Sequence, residues 1–143
     1  LLFGLREALA MLREEGLANV FQRHYRLAEA TRRAVRAWGL EVFAKNPAEC
    51  SSTVTAVLLP EGSGEVELRE IILDRLNMSL GAGLGKLSGR VFRIGHLGSF
   101  NELMLAGTLA GVEMGLELAG VPHRKGGINA ALEYLTEQAR VKV

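Results

Sequence analysis

Residues 77–98 read NMSLGAGLGKLSGRVFRIGHLG, and this stretch combines two short extended segments with a glycine-rich loop. Residues 78–80 and 90–94 are predicted to be strands, because they are rich in apolar residues and bounded by turn-forming residues. Side chains alternate across a strand, so Phe92 and Ile94 share one face and Val91 and Arg93 share the other. Short strands joined by turns predict a small, mostly antiparallel sheet.

Helical periodicity surrounds this stretch on both sides, because apolar residues recur there every three or four positions. The predicted helices are residues 1–16, 17–39, 65–76, 99–118 and 128–141. Residues 40–44 and 52–59 are predicted to be two further strands. Ser99 and Glu102 have the spacing of a capping box at the start of the fourth helix. This order predicts an α+β fold (α/β in the broad sense) with helices packed on one face of the sheet.

The overall composition is that of a globular protein without a strong electrostatic field. Hydrophobic residues make up 48% of the chain, charged residues 23%, and the net charge is +1. We therefore expect no nucleic-acid partner and no attraction to a membrane surface. No apolar run reaches the roughly 18 residues of a membrane span. Five arginines of the second helix are expected on a solvated face, since aromatic residues are not interleaved with them: Arg23, Arg26, Arg32, Arg33 and Arg36.

The cysteine count and the first residues bear on the cellular context. The single cysteine, Cys50, excludes an internal disulfide framework and indicates a reducing compartment, which we take to be the cytoplasm. Because the chain opens Leu1-Leu2-Phe3-Gly4 without an initiator methionine, we expect it to be a piece of a longer protein.

The glycine-rich loop does not match a nucleotide-binding motif. Gly81 precedes Gly85 by four positions where a P-loop needs five, and Leu87 stands where Ser or Thr is required. A dinucleotide fingerprint fails as well, because Lys86 occupies its third glycine position and the loop joins two strands. The remaining hypothesis is a flexible loop whose backbone approaches another group closely.

The histidines and the cysteine do not form a recognisable reactive or metal-binding pattern. His24, His96 and His123 are far apart and lack metal-ligand spacing. His24 falls on the apolar side of its helix, so a hydrogen-bonded core or boundary histidine is the simplest interpretation. Cys50 is expected to be a buried, inert thiol. The residues therefore predict no metal site and no catalytic residue in this chain.

Arg93 carries the strongest functional indication. An arginine in the middle of an apolar strand is costly unless a carboxylate meets it. One hypothesis is an internal ion pair with an Asp or Glu. The other is a fork for a substrate carboxylate, since Arg provides a bidentate geometry that Lys does not. The residues alone leave both hypotheses open.

Several stretches in a fixed order resemble one enzyme family. Beside residues 77–98 and Arg23-His24, they are LREAL at 5–9, EEGLANV at 14–20, NELM at 101–104, GVEMG at 111–115 and AGVPH at 119–123. Together they resemble the C-terminal small domain of class V (fold-type I) pyridoxal-phosphate-dependent aminotransferases, and most of all the serine–glyoxylate and alanine–glyoxylate branch.

The resemblance implies an enzyme that acts on small amino and keto acids. It implies a homo-oligomer that transfers an amino group from serine or alanine to glyoxylate, with Arg93 binding the substrate carboxylate. Residues 1–16 would be a truncated linker helix that normally packs on a large domain, and residues 17–143 the small domain. A noncatalytic module that binds amino or keto acids, or an assembly module, is the alternative.

The lysines set an expectation about the cofactor. In the family, the lysine that forms the Schiff base with pyridoxal 5'-phosphate belongs to the large domain, upstream of Leu1. The lysines of this chain would therefore occupy other positions; they are Lys45, Lys86, Lys125 and Lys142. Without that lysine, and without the aspartate that pairs with the pyridine nitrogen, this chain has no electron sink for carbanion chemistry. We expect the chain alone to bind no pyridoxal phosphate and to be inactive.

Overall fold

The computed structural model describes residues 1–141, and these residues form the α+β fold that the sequence predicts. The helices are α1 Leu2–Glu15, α2 Leu17–Ala37, α3 Glu65–Leu76, α4 Glu102–Leu118 and α5 Gly127–Val141. The strands are β1 Glu41–Val42, β2 Val54–Leu58, β3 Gly81–Ala82 and β4 Val91–Gly95. Single 3-10 turns occur at Pro47–Glu49 and Gly85–Leu87.

The four strands within residues 1–141 form one antiparallel sheet in the order β1-β2-β4-β3. The predicted strand at residues 78–80 is wrong: the ladder with β4 runs through Gly81 and Ala82, which the sequence placed in the loop. The reason lies in the end of α3. Asn77 adopts a left-handed conformation and Met78 donates its N–H to Ile72 O at 3.4 Å, so these residues complete the helix terminus.

The hydrophobic core lies between the helices and one face of the sheet. Val57, Phe92 and Ile94 project from this face and are fully buried. They pack in one cluster with residues of α2, α3, α4 and α5, among which are Leu27, Val35, Ile72, Leu109, Leu116 and Leu135. The prediction that the helices cover one side of the sheet is confirmed.

Glu113 of α4 joins three parts of the helical layer. Its Oε1 accepts the N–H of Gly126 at 2.8 Å, and its Oε2 accepts Trp38 Nε1–H at 2.7 Å and the N–H of Ile128 at 3.2 Å. The carboxylate therefore caps the N-terminus of α5, where a negative charge is favourable. Gly127 completes the arrangement, because a Cβ there would lie 2.1 Å from Trp38 Nε1.

The predicted capping box at the start of α4 is wrong. The side chain of Asn101, not Ser99, accepts the N–H of Met104 at 2.9 Å and caps the helix. Glu102 instead accepts hydrogen bonds from Arg26 of α2, with Nη2 at 2.5 Å from Oε1. Glu102, which the local pattern assigned to the cap, therefore forms an ion pair between two helices.

The arginines of α2 are less solvated than the sequence predicts. Arg32 is buried, Arg23 and Arg26 are half-buried, and only Arg33 and Arg36 are exposed. Each of the three inner arginines meets a carboxylate: Arg23 that of Glu15, Arg26 that of Glu102 and Arg32 that of Glu29. Pairing offsets the cost of removing a charge from water, so these arginines lie at the boundary of the core.

Helix α1 lies at the edge of the fold and contains no buried side chain. Leu5 and Leu9 are 56% and 52% exposed, and Leu1, Leu2, Phe3, Met11 and Leu12 are also exposed. A cavity of about 470 Å³ separates part of α1 from α2 and the loop after β4. No helix of residues 1–141 combines the length and hydrophobicity that crossing a membrane would require.

Candidate functional site

Arg93 lies in the middle of β4, on the sheet face opposite the hydrophobic core. Phe92 and Ile94 are buried on the helical side, as strand alternation predicts, whereas Arg93 is half-buried on the opposite side. Its cross-strand neighbours are Ala56 in β2 and Gly81 in β3. Because both neighbours are small, neither side chain covers the guanidinium group. Arg93 is therefore a cation on an otherwise largely apolar surface.

The internal ion pair that the sequence left open for Arg93 is not formed within residues 1–141. Its Nε donates instead to the carbonyl oxygen of Ala82 at 2.8 Å. This bond holds one edge of the guanidinium group against β3. A planar guanidinium with its two terminal nitrogens free of an acidic partner is suited to a carboxylate ligand.

The glycine-rich loop brings the backbone close to Arg93. A Cβ at Gly81 would lie 3.2 Å from both Cβ and Nε of Arg93. At Gly83 a Cβ would lie 2.1 Å from Leu87 O, so this position can only be glycine. The loop thus approaches other groups closely, but those groups are this chain's own side chain and backbone. Sequence patterns alone did not indicate which glycine meets Arg93.

The loop after β4 is anchored by two consecutive residues of α2. His24 Nε2 accepts the N–H of Gly98 at 3.1 Å, and its Nδ1 donates to Val20 O at 2.7 Å. Arg23 donates to Gly98 O at 2.8 Å and to Phe100 O at 2.9 Å, while it pairs with Glu15. The prediction of a hydrogen-bonded boundary histidine at position 24 is confirmed.

His96 follows β4 on the buried side of the sheet. The residue is fully buried, and its Nε2 lies 2.9 Å from the hydroxyl of Thr55 in β2. Burial lowers the pKa of His96 to about 4, and the nearby charge of Arg32 acts in the same direction. The imidazole is therefore neutral at physiological pH. Its burial on the helical side separates it from the Arg93 surface.

Cys50 and the histidines form no reactive cluster in the part of the chain that the structure describes. Cys50 is half-buried rather than buried as expected, because it lies in the β1–β2 connection with its Sγ 3.7 Å from Ala44 O. Among residues 1–141 no three His, Cys, Asp or Glu side chains are grouped so that they could hold a metal ion.

Curated relatives match nearly the whole chain. It is 53% identical over 99% of its length to a serine–glyoxylate aminotransferase of Methylorubrum extorquens, and 52% identical over 94% to one of Arabidopsis thaliana. The chain is homologous to the serine–glyoxylate aminotransferases. It spans about a third of these proteins, 36% and 34% of their respective lengths. No family model matches the chain.

Solved aminotransferase structures share the fold of this homologue. A pyridoxamine–pyruvate aminotransferase from Mesorhizobium loti superposes with a TM-score of 0.89 at 34% identity, over 94% of this chain and 35% of that one. A ureidoglycine–glyoxylate aminotransferase from Bacillus subtilis gives a TM-score of 0.88 at 28% identity with the same coverage. The resemblance stated from the sequence motifs, to a class V aminotransferase domain, is confirmed in sequence and in fold.

The described lysines of this aminotransferase homologue do not fit a pyridoxal phosphate site. Lys45, Lys86 and Lys125 are exposed, and Lys125 Nζ lies 3.3 Å from Glu117 Oε1. A lysine that forms a Schiff base is held beside the groups that bind the phosphate and the ring of the cofactor, whereas the amines of these three lysines belong to exposed residues. Lys142 is outside the described residues.

Proposed function

We propose that this chain is the carboxylate-binding small domain of a pyridoxal-5'-phosphate-dependent aminotransferase that transfers an amino group from serine or alanine to glyoxylate. The names of its relatives support this activity, since a third serine–glyoxylate aminotransferase, from Hyphomicrobium methylovorum, is 49% identical over 97% of the chain. In this proposal residues 17–143 are the small domain and residues 1–16 are the linker helix to the remainder of the enzyme.

The observation that carries the proposal is the geometry of Arg93. Serine, alanine and glyoxylate all bear a carboxylate next to the carbon that gains or loses the amino group. A single arginine can therefore hold the amino donor in one half-reaction and the keto acceptor in the other. The half-buried, apolar surroundings of Arg93 strengthen such a charge-assisted contact relative to water.

The part played by this chain is binding and orientation. Two hydrogen bonds from Arg93 to one carboxylate fix the substrate in position and in rotation about the carboxylate. The electron sink for the reaction belongs to pyridoxal phosphate when it is bound to the remainder of the enzyme. We therefore assign no catalytic residue to this chain and expect it to be inactive by itself.

The proposal also includes the assembly and location of the enzyme. The exposed apolar face of α1 supports a homo-oligomer, because contiguous apolar surfaces are rarely left uncovered on monomers. The single cysteine supports a cytoplasmic location, since proteins of reducing compartments do not depend on disulfides.

Substitution of Arg93 in the complete enzyme tests the proposal. Arg93→Ala should weaken the binding of both the amino donor and glyoxylate by about 2–5 kcal/mol. Arg93→Lys should weaken their binding less, because Lys retains the charge but not the bidentate geometry. Arg90→Lys is the matched control, since Arg90 is an exposed arginine just before the same strand. Steady-state kinetics with both substrates measure the effect. Unchanged kinetics for both substrates in Arg93→Ala would refute the assignment.

A further inference from the structure

Gly81 and Arg93 face each other directly across the β3–β4 ladder. A Cβ at position 81 would lie 3.2 Å from Arg93 Nε and 3.5 Å from its Cζ. The side chain of Arg93 therefore lies flat over the backbone of β3, in space that any other residue at position 81 would partly fill. Among the strands that the structure describes, no other cross-strand pair joins a glycine to a functional arginine.

The hydrogen bond from Arg93 to β3 determines which edge of the guanidinium group is available. Because Nε donates to Ala82 O at 2.8 Å, the side edge formed by Nε and one terminal nitrogen is already engaged with the backbone. The free edge is the one formed by the two terminal nitrogens. A carboxylate that binds in a bidentate manner would then approach along the long axis of the side chain, not from its side.

We propose that Gly81 is a positioning residue for the carboxylate site, because its missing side chain lets Arg93 lie on β3 and keep its end edge directed at the substrate. This inference rests on the proposed function of Arg93. It adds to that function a second residue, which touches no substrate, and a defined end-on geometry of binding.

The backbone of Gly81 does not itself demand glycine. Its φ is not in the left-handed region, unlike that of Gly85 and Gly89 in the same loop. Glycine inside a strand is less favourable than alanine, because it loses more conformational freedom on folding. A Cβ at position 81 also requires Arg93 to shift by a few tenths of an ångström, which works against this gain. We therefore expect the stability of Gly81→Ala to stay close to that of the wild type. A loss of substrate affinity without a loss of stability is the signature of positioning.

The test compares Gly81→Ala and Gly81→Val in the complete enzyme. We expect the KM for serine and for glyoxylate to rise together, severalfold for Ala and about tenfold for Val, with little change in kcat, because carboxylate binding acts alike on ground state and transition state. Gly107→Ala is the control: it lies in α4, and a Cβ there meets nothing within 4 Å. Thermal denaturation of each variant checks that folding is intact.

Two further measurements separate positioning from a general disturbance. Ethanolamine, which is serine without its carboxylate, should react equally slowly with the wild type and with Gly81→Val. In ¹⁵N-resolved NMR of the 143-residue chain, the Arg93 Nε–H should exchange slowly with solvent, and this protection should be lost in Gly81→Val. The Arg93→Lys variant identifies that resonance by its disappearance.

The outcomes distinguish this inference from the proposed function. If Arg93→Lys raises both KM values and Gly81→Val does not, the positioning role is wrong and the function of Arg93 remains. If Gly81→Val slows ethanolamine and serine by the same factor, Gly81 acts on the fold and the inference is also wrong. If neither substitution changes the KM values, both the proposed function and the inference fail.

Discussion

Glu113→Gln should destabilise the fold strongly although it changes a single atom. The Glu113 carboxylate accepts three hydrogen bonds, from Gly126, Trp38 and Ile128. Burial alone would raise the pKa of this carboxyl, but the bonds from Gly126, Trp38 and Ile128 outweigh burial and lower its pKa. The folded state therefore favours the ionised carboxylate of Glu113, and the neutral amide of glutamine cannot replace that carboxylate.

The size of the expected destabilisation follows from the N–H groups that lose their acceptor in Glu113→Gln. If the amide oxygen of the substituted side chain takes the place of Oε2, it keeps the bonds from Trp38 and Ile128 as weaker, neutral ones. The NH₂ group of the amide then faces the N–H of Gly126, so one charge-assisted bond worth about 1.5–3 kcal/mol is lost outright. The favourable charge at the N-terminus of α5, worth about 0.3–1 kcal/mol, is lost as well. We expect a total loss of about 2–4 kcal/mol in the free energy of unfolding, the sum of these two contributions.

Urea denaturation of the 143-residue chain at pH 7, followed by tryptophan fluorescence and circular dichroism, measures this loss. The chain contains one tryptophan, Trp38, which is fully buried and bonded to Glu113. Glu117→Gln is the matched control: this glutamate lies one helical turn later, is 57% exposed, and pairs with Lys125 at 3.3 Å. The control substitution should lower the free energy of unfolding by less than about 0.5 kcal/mol, because exposed ion pairs contribute little to stability.

Equal urea midpoints for the two variants would show that the hydrogen bonds of Glu113 to α5 and Trp38 do not stabilise the fold as we expect. The pH dependence provides a second check. Because the pKa of Glu113 is lowered in the folded state, its contribution is present above the ordinary glutamate pKa and disappears as the pH falls through the folded value. The wild type should lose more stability in this acidic range than Glu113→Gln does.

Three further predictions concern the cofactor, assembly and pH. Borohydride reduction after incubation with pyridoxal phosphate should label no lysine stoichiometrically, and a single labelled lysine in peptide maps would contradict this. The chain should self-associate through α1, since each leucine gains about 1.5–3 kcal/mol on burial; light scattering should show dissociation in Leu5→Glu and Leu9→Glu, and a monomeric wild type would exclude it. Because the folded pKa of His96 is about 4 against an ordinary value of 6.5, the unfolded chain takes up a proton first, and stability should fall by roughly 3 kcal/mol from pH 7 to pH 4. His96→Gln should flatten that slope, and an unchanged slope would show that other groups cause it.

Local patterns in the sequence predicted the features that depend on neighbours a few residues away. The five helices and the strands β2 and β4 follow from periodicity, with boundaries within a few residues of those observed. The placement of Arg93 opposite Phe92 and Ile94 also required nothing but the alternation of a strand. The order of the family's motifs predicted the fold, because motif order reflects common ancestry and not local energetics.

The errors occurred where two structures competed for the same residues. Residues 78–80 are extended enough for a strand, but the end of α3 uses them, and the ladder falls on Gly81 and Ala82. Ser99 and Glu102 have the spacing of a capping box, yet Arg26 of another helix takes the glutamate and Asn101 becomes the cap. In the first case the competing contact is the local terminus of a helix, and in the second it is an ion pair with a residue 76 positions away, which no local pattern contains.

The sequence by itself predicted the class of fold, indicated the family through the order of its motifs, and pointed to Arg93 as the candidate for a carboxylate site. Tertiary structure alone decided the surroundings of that arginine: Ala56 and Gly81 beside it, Ala82 O as its partner, and no acidic side chain within residues 1–141 in ion-pair contact with it. The physical reason is that strand pairing brings together residues 37 and 12 positions apart from Arg93. Sequence shows which side a side chain points to, whereas register between strands decides what it meets there.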